Sequence, residues 1–383
     1  MFKKALLSIN LVTALLADDT DALLDGFDEV DITRKVEVSK DKSFEGKLTQ
    51  ALAFSIDNEE PYDNLSSLKS SLFLEYNYDL SDTFKFKTNA NAFYDFLYAI
   101  KGRDDFSKED IDALESEIEL FDFYIQGTLE DNLDLKIGRQ VVVWGKSDTI
   151  RITDILNPLD NRRPAMVDIE DLRLPTTMIK LDYYRKSWRI TPIILLEQRL
   201  TKPPPFGGNF NPSKKQKQRT RDKPTLALDI AGEFSGFDIN FYLEEKQKMS
   251  GIALNYVYES WLFKSEFAYK KDTLLDSLVG FEYRGIADTV LSYEIANRDK
   301  DDTYQHAFRA SSDFLNATLR ANYLISLFGK KFDKGGFQRA WFKYDISDDI
   351  NANFGVVDYI SGDKYFDVIS DNDMVFMDIS YSF

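Results

Sequence analysis

One connection in the chain concentrates side chains that act through charge. Between residues 145 and 176 stand Lys146, Asp148, Arg151, Asp154, Asp160, Arg162, Arg163, Asp168, Glu170, Asp171 and Arg173, with Arg139 and Trp144 just ahead of them. Acids and bases interleaved at this density suit electrostatics rather than bond-making. Set around a narrow passage, they create a transverse field and restrict what crosses it. The periodic Ile150, Ile152, Ile155 and Leu156, the Asn157–Pro158 turn and the balance of charge argue for an ordered segment. A connection longer than about 15 residues in a compact fold is usually functional or disordered. Two placements follow: folded into or over a pore, as constriction or plug, or packed on a rim.

Other chemistries have little to work with. The one histidine, His306, shares an apolar parity with Tyr304 and Phe308, an interface position rather than a nucleophile–base relay. With no cysteine there is neither a disulfide framework nor a zinc ligand set. Asp104 with Asp105, and Asp299 with Asp301 and Asp302, read as solvated loop charge in preference to calcium ligands. No enzymatic activity, metal or cofactor is expected. A net charge of −17 argues against nucleic acid as a partner.

The remaining charges obey a period of two. Lys85, Lys87, Lys136, Lys180, Asp229, Lys264, Glu266, Arg309, Arg320 and Lys343 all fall on the polar parity of alternating segments, opposite Phe, Tyr, Leu and Ala. About 18 such segments are long enough to cross a bilayer as strands. They lie near 44–56, 68–78, 84–98, 119–129, 133–144, 177–186, 188–198, 225–234, 237–245, 250–258, 261–270, 277–285, 288–296, 304–312, 315–325, 338–346, 350–358 and 374–383. The connections alternate long and short. That pattern fits a transmembrane antiparallel up-and-down β-barrel with short periplasmic turns and long outer loops, of about 18 strands, with 16 or 14 as alternatives. In hydrocarbon every backbone polar group must be paired internally, and a closed barrel achieves this with an apolar outside and a wet inside. The charged parity therefore predicts the lumen wall. Past residue 17 no apolar run reaches the roughly 18–20 residues of a membrane helix.

The termini predict export to a bacterial outer membrane. Residues 1–17, with Lys3, Lys4 and an apolar run to Leu16, read as a signal peptide. Residues 18–43 form an acidic periplasmic segment, and 44–383 the barrel. Within 18–31, Leu23, Leu24 and Phe27 among carboxylates suit a periplasmic partner, the alternative being a disordered tether. Tyr381 and Phe383 close an alternating C-terminal strand and resemble the signal read by the barrel-assembly machinery. Lipids of the outer membrane are the expected surroundings, and the basic run from Pro212 to Pro224 suits lipopolysaccharide phosphates or a solvated loop tip. Ser107 before Asp110, Ile111, Leu114 and Ile118 predicts a short capped helix.

The stretch from Ile137 to Pro164 carries Gly138, Arg139, Gln140, Trp144, Gly145, Asp148, Asp154, Asn157, Pro158, Asp160 and Arg162. This series resembles the Gram-negative outer-membrane proteins grouped as domain of unknown function 1302, and stretches 191–210 and 21–29 are similar too. The resemblance implies a barrel associated with export or uptake of hydrophobic or organic molecules, without a settled substrate. Read together, the residues and the resemblance point to a porin-like channel for small or hydrophobic organic solutes. The alternative is a non-conducting barrel that binds or displays through its loops.

Overall fold

Alternation folds here as strand, and the strands close on themselves. A computed structural model describes residues 42–211, 223–271, 274–299, 303–363 and 365–383. The expected signal peptide, acidic residues 18–31 and the basic run over 212–222 lie outside the described residues. Among those described, eighteen strands follow in order: β1 Lys42–Ser55, β2 Leu65–Asp79, β3 Phe84–Asp95, β4 Ser116–Glu130, β5 Leu133–Gln140, β6 Thr176–Arg185, β7 Trp188–Leu195, β8 Thr225–Phe234 and β9 Phe237–Glu244. The second half is β10 Met249–Tyr258, β11 Trp261–Lys270, β12 Leu274–Ile286, β13 Thr289–Arg298, β14 Thr303–Phe314, β15 Leu319–Phe328, β16 Gly336–Asp345, β17 Ile350–Ile360 and β18 Met374–Ser382. Each pairs antiparallel with its sequence neighbours, and β18 returns to β1 from Lys47 with Ser382 to Ser55 with Met374. The sheet has no free edge, the condition a membrane imposes on strands.

Long connections sit at one end and tight turns at the other. Lys186, Gly236, Glu259 and Asp288, each at positive φ, make the two-residue turns between β6–β7, β8–β9, β10–β11 and β12–β13. Both ends of the barrel chain emerge on this tight-turn side. There the terminal Phe383 exchanges two backbone hydrogen bonds with Gly46, at 2.7 and 2.9 Å, and its ring stacks with Tyr381. A Cβ on Gly46 would come within 2.3 Å of the Phe383 ring, so the small residue makes room for the terminal aromatic.

Four strand readings need correction; the simplest is 188–198, which ends at Leu195. The segment 84–98 ends at Asp95, whose buried carboxylate accepts from Ser67 Oγ and from the amides of Leu68 and Leu97. Leu97 and Tyr98 turn instead into helix α1 (Leu97–Lys101) and pack with Phe106 and Leu114. The segment 133–144 leaves the wall at Gln140, so the following connection spans 141–175 rather than 145–176. The segment 315–325 runs through a turn, because Leu315, Asn316 and Ala317 all take positive φ, and the strand occupies 319–328. The capped helix is present as α2 (Lys108–Leu114), with Ser107 Oγ accepting from the Asp110 amide. Ile118, however, belongs to β4 and lies exposed on its outer face.

The two faces of the wall differ as the parity predicts. At one level Phe263, Phe281, Tyr293, Phe308 and Ile325 stand side by side on β11 to β15, facing out. One residue along, Lys264 and Glu294 face in and are buried. His306 takes an outward position on β14, sharing a 2.8 Å hydrogen bond with Tyr293 and lying 4.5 Å from the Phe332 ring.

Candidate pore site

The connection between β5 and β6 turns into the barrel. Asn157 ties its two ends together: Oδ1 accepts from the Val142 amide at 2.8 Å, and Nδ2 donates to the carbonyls of Gln140 and Leu174. An asparagine supplies donor and acceptor from one buried side chain, which suits this double clamp. Helix α3 (Ile169–Leu172) lies near the end of the inserted segment.

Its first half is held through the backbone. Trp144, buried, stacks on Tyr242 of β9 at 4.7 Å, and the Gly145 amide donates to the Tyr242 hydroxyl. Glu266 of β11 then accepts from the amides of Lys146, Ser147 and Thr153 and from the Thr153 hydroxyl, over 2.6–3.0 Å. Glu294 of β13 accepts from the amides of Asp148, Thr149 and Ile150 and from Ser147 Oγ, over 2.7–3.2 Å. Gly145 has φ of 90°, and a Cβ there would meet Glu266 Oε1 at 2.6 Å. A wall carboxylate with several backbone donors is a strong, geometrically demanding anchor.

The second half is held through side chains. Arg162 reaches Asp160, Glu117 of β4 and the Ala113 carbonyl. Arg163 pairs with the buried Asp95 at 3.0 Å. Asp168 bridges Arg309 of β14 and Arg339 of β16, and Arg339 lies 3.8 Å from the Trp341 ring. Tyr359 of β17 donates to the Pro164 carbonyl. A stretch of the β7–β8 connection crosses beside it, where Lys202 exchanges backbone hydrogen bonds with Leu159 and Asn161 and its ammonium meets Glu117 and Glu119. The segment thus touches the wall on widely separated strands, from β4 through β9 and β13 to β17.

The candidate constriction residues accordingly gather, but not across an open gap. Arg151 and Arg173 both bond Asp154, at 3.0 and 2.8 Å; Lys146 pairs with Asp238 and Lys264 with Asp148; Arg139 joins Glu119 and Glu197. Arg151 meets Asp154, Arg162 meets Asp160 and Arg163 meets Asp95 in direct ion pairs. Paired charge in a low-dielectric interior costs less than separated charge, which favours contact over a gap. Of the candidate lumen residues, Lys264, Glu266 and Arg309 meet the insert. Lys87 with Glu75, Lys180 with Asp182, Asp229 with Arg189, and Lys136 over the Tyr124 ring find partners on the wall itself. Lys343 is half-buried on the inward parity of β16. Lys85 and Arg320 lie near the tight-turn mouth with Asp79 and Asp313. Glu294, Glu117 and Tyr242 were missed as site residues. Their inward parity was readable, but nothing in the sequence paired them with 144–163.

A closed barrel with tight turns at one end, a charged inner wall and a long third loop folded inside defines a porin-like architecture. Residues 54–219, which contain the whole insert, match the model of a family described as protein of unknown function (DUF1302), the one the 137–164 stretch resembles. No curated protein matches the chain. Among solved structures, Acinetobacter baumannii OccAB2 is similar at a TM-score of 0.56 and 12% identity, over 89% of this chain and 98% of that one. Salmonella typhi OmpF, solved with daunomycin, gives 0.48 and 10% over 90% and 98%. A porin variant from Rh. blastica gives 0.45 and 10% over 89% and 100%. At these identities the OccAB2 likeness establishes the fold alone.

Proposed function

We propose that this protein is an outer-membrane channel for small or hydrophobic organic solutes, with residues 141–175 as its constriction. The observation that supports this best is the insert itself, bonded to the inner wall on strands around the barrel. A loop that merely packs on a rim has no need of wall anchors such as Glu266 and Glu294. In this reading the signal peptide exports the chain, Tyr381 and Phe383 serve recognition by the assembly machinery, and the aromatic outer face meets lipid and lipopolysaccharide. The protein performs no catalysis.

One observation favours the second reading, a non-conducting barrel that displays its loops. Direct ion pairing, with Lys202 of the β7–β8 connection hydrogen-bonded to Leu159 and Asn161 of the insert, resembles a plug more than a screen. Planar-bilayer recording of the refolded protein separates the two. Reproducible conductance steps that enlarge when the insert is loosened support the channel; silence from well-folded barrels supports display.

A further inference from the structure

Most bases on the inner wall meet an acid directly, as Lys87 meets Glu75 at 2.7 Å and Lys270 meets Asp276 at 2.9 Å. One sector differs. Lys343 of β16, Asn353 of β17, Asp378 of β18, Ala51 of β1 and Lys69 of β2 stand side by side in register, with Lys47 on the same face of β1, nearer the tight turns. Lys47, Lys69 and Lys343 are half-buried and make no ion pair among the described residues. Lys69 lies 5.5 Å from the Phe93 ring, and Asp378 accepts from Asn353 Nδ2 at 3.1 Å. The insert turns acids toward this sector. Arg339, on the same face of β16 as Lys343, holds Asp168, from which α3 starts. The next two acids, Glu170 and Asp171, make no ion pair among the described residues and stay exposed. Because the segment carrying them lies inside the barrel, they face open space within it. The charges of Lys47 and Lys343 reach Asp171, those of Lys343 and Arg309 reach Glu170, and all three lysines reach Asp378. Opposite charges that stop short of contact leave room between them for water or a solute.

On the channel reading, and dependent on it, we infer that this gap passes small zwitterionic organic molecules, the carboxylate of the solute drawn to Lys47 and Lys343 and its ammonium to Glu170 and Asp171. A molecule carrying both charges finds partners on both sides, whereas a simple anion or cation meets repulsion from one of them. Three lysines against Glu170, Asp171 and Asp378 leave the gap without a strong excess of either sign. Contacts to solvated charges are weak, and that suits passage: a solute must be attracted enough to enter and held loosely enough to leave.

The test is swelling of phosphatidylcholine liposomes that carry the refolded full chain, at neutral pH, with alanine and its uncharged isomer lactamide as solutes. Protein-free liposomes supply the blank. Alanine should enter about 2- to 5-fold faster than lactamide, the worth of one solvated ion pair. Removing either side of the gap, by Lys47→Gln with Lys343→Gln or by Glu170→Gln with Asp171→Asn, should bring the ratio of the two rates close to one. Reversal potential in a salt gradient should move toward cations in the first variant and toward anions in the second, opposite shifts that a blocked or misfolded barrel would not give. Equal rates for the two solutes in the unaltered protein overturn the zwitterion passage and keep the channel. An alanine preference that survives both double substitutions overturns the passage as well. No swelling with either solute from folded barrels overturns the channel reading and the passage with it.

Discussion

The two halves of the inserted segment are fastened by different chemistry. Residues 144–153 present mainly backbone N–H groups to Glu266 and Glu294, with the Lys146–Asp238 and Asp148–Lys264 pairs beside them, whereas residues 160–168 present side-chain charges to Glu117, Asp95, Arg309 and Arg339. A backbone amide cannot swing away to another partner without moving the chain. A guanidinium on a long stem can. The first half should therefore fix the course of the segment, and the second should tune the field beside it.

The largest effect is expected where backbone donors lose their acceptor. Glu266→Ala strands the amides of Lys146, Ser147 and Thr153 together, at roughly 1–3 kcal/mol for each buried donor left unsatisfied. We expect a loss of about 3 kcal/mol or more in the seating of the segment, read as tryptic cutting after Lys146 and Arg151 in a barrel whose strands remain intact. Glu266→Gln, which keeps one carbonyl, should fall between. Resistance equal to the unaltered protein would show that the wall carboxylates are not what holds this half.

Next comes the ionic half. Asp95 retains Ser67 and two backbone amides when Arg163 is removed, so Arg163→Ala should cost only about 1–3 kcal/mol, the value of a charge-assisted hydrogen bond. A cost equal to that of Glu266→Ala would erase the distinction between the halves. A smaller effect concerns selectivity. Arg162→Ala with Arg163→Ala removes two positive charges beside the proposed path. Reversal potential in a salt gradient should shift toward cations, more at 0.1 M, where the screening length is about 10 Å, than at 1 M, where it is about 3 Å. An unchanged reversal potential would place the ion path elsewhere along the wall.

How much of this was legible follows from the same contrast. The barrel was readable because lipid and water impose opposite demands on alternate residues, and a single period carries that information through every strand. The expected strands match the observed ones closely except where a local competitor intervened: the Asp95 carboxylate capturing the Leu97 amide, the Asn157 clamp on Gln140 and Val142 where the chain leaves the wall, the Glu197 carboxylate accepting from Thr177 beyond the end of β7, and three positive-φ residues at 315–317. Arg162, Arg163 and Asp154 announced themselves by charge. Their partners did not, because Asp95 and Glu117 come from other connections and strands, and register around a barrel is invisible in one sequence. The backbone-held half was the least legible part. Amides have no residue type, so only Gly145 hinted that the chain passes close to something there.

The smallest expected effect is a pH response at the rim, and it reaches the ionic half through one residue. Tyr359 donates its hydroxyl to Pro164 of the insert and its amide to Asp373, in the connection before β18. Burial and the nearby Asp358 and Asp57 carboxylates push the Asp373 carboxyl up to about 6, against the pull of the Tyr359 amide. A carboxyl whose folded pKa is raised binds its proton more readily in the fold than in the unfolded chain. Its contribution is therefore most favourable below the unfolded value near 4 and is lost as pH rises through about 6. Lowering pH from 7 to 5 should firm this connection, because the proton relieves repulsion with Asp358. Hydrogen exchange at the Ile56 amide, which donates to the Asp373 backbone carbonyl at 2.8 Å, should slow over that interval once corrected for its intrinsic rate. Asp373→Asn, which keeps an acceptor for the Tyr359 amide but cannot ionise, should flatten the response, while exchange in the Lys146–Ile150 stretch should stay unmoved in both proteins. A pH response that persists in Asp373→Asn would assign it to another group, and a matching change in 146–150 would mean that the two halves move as one.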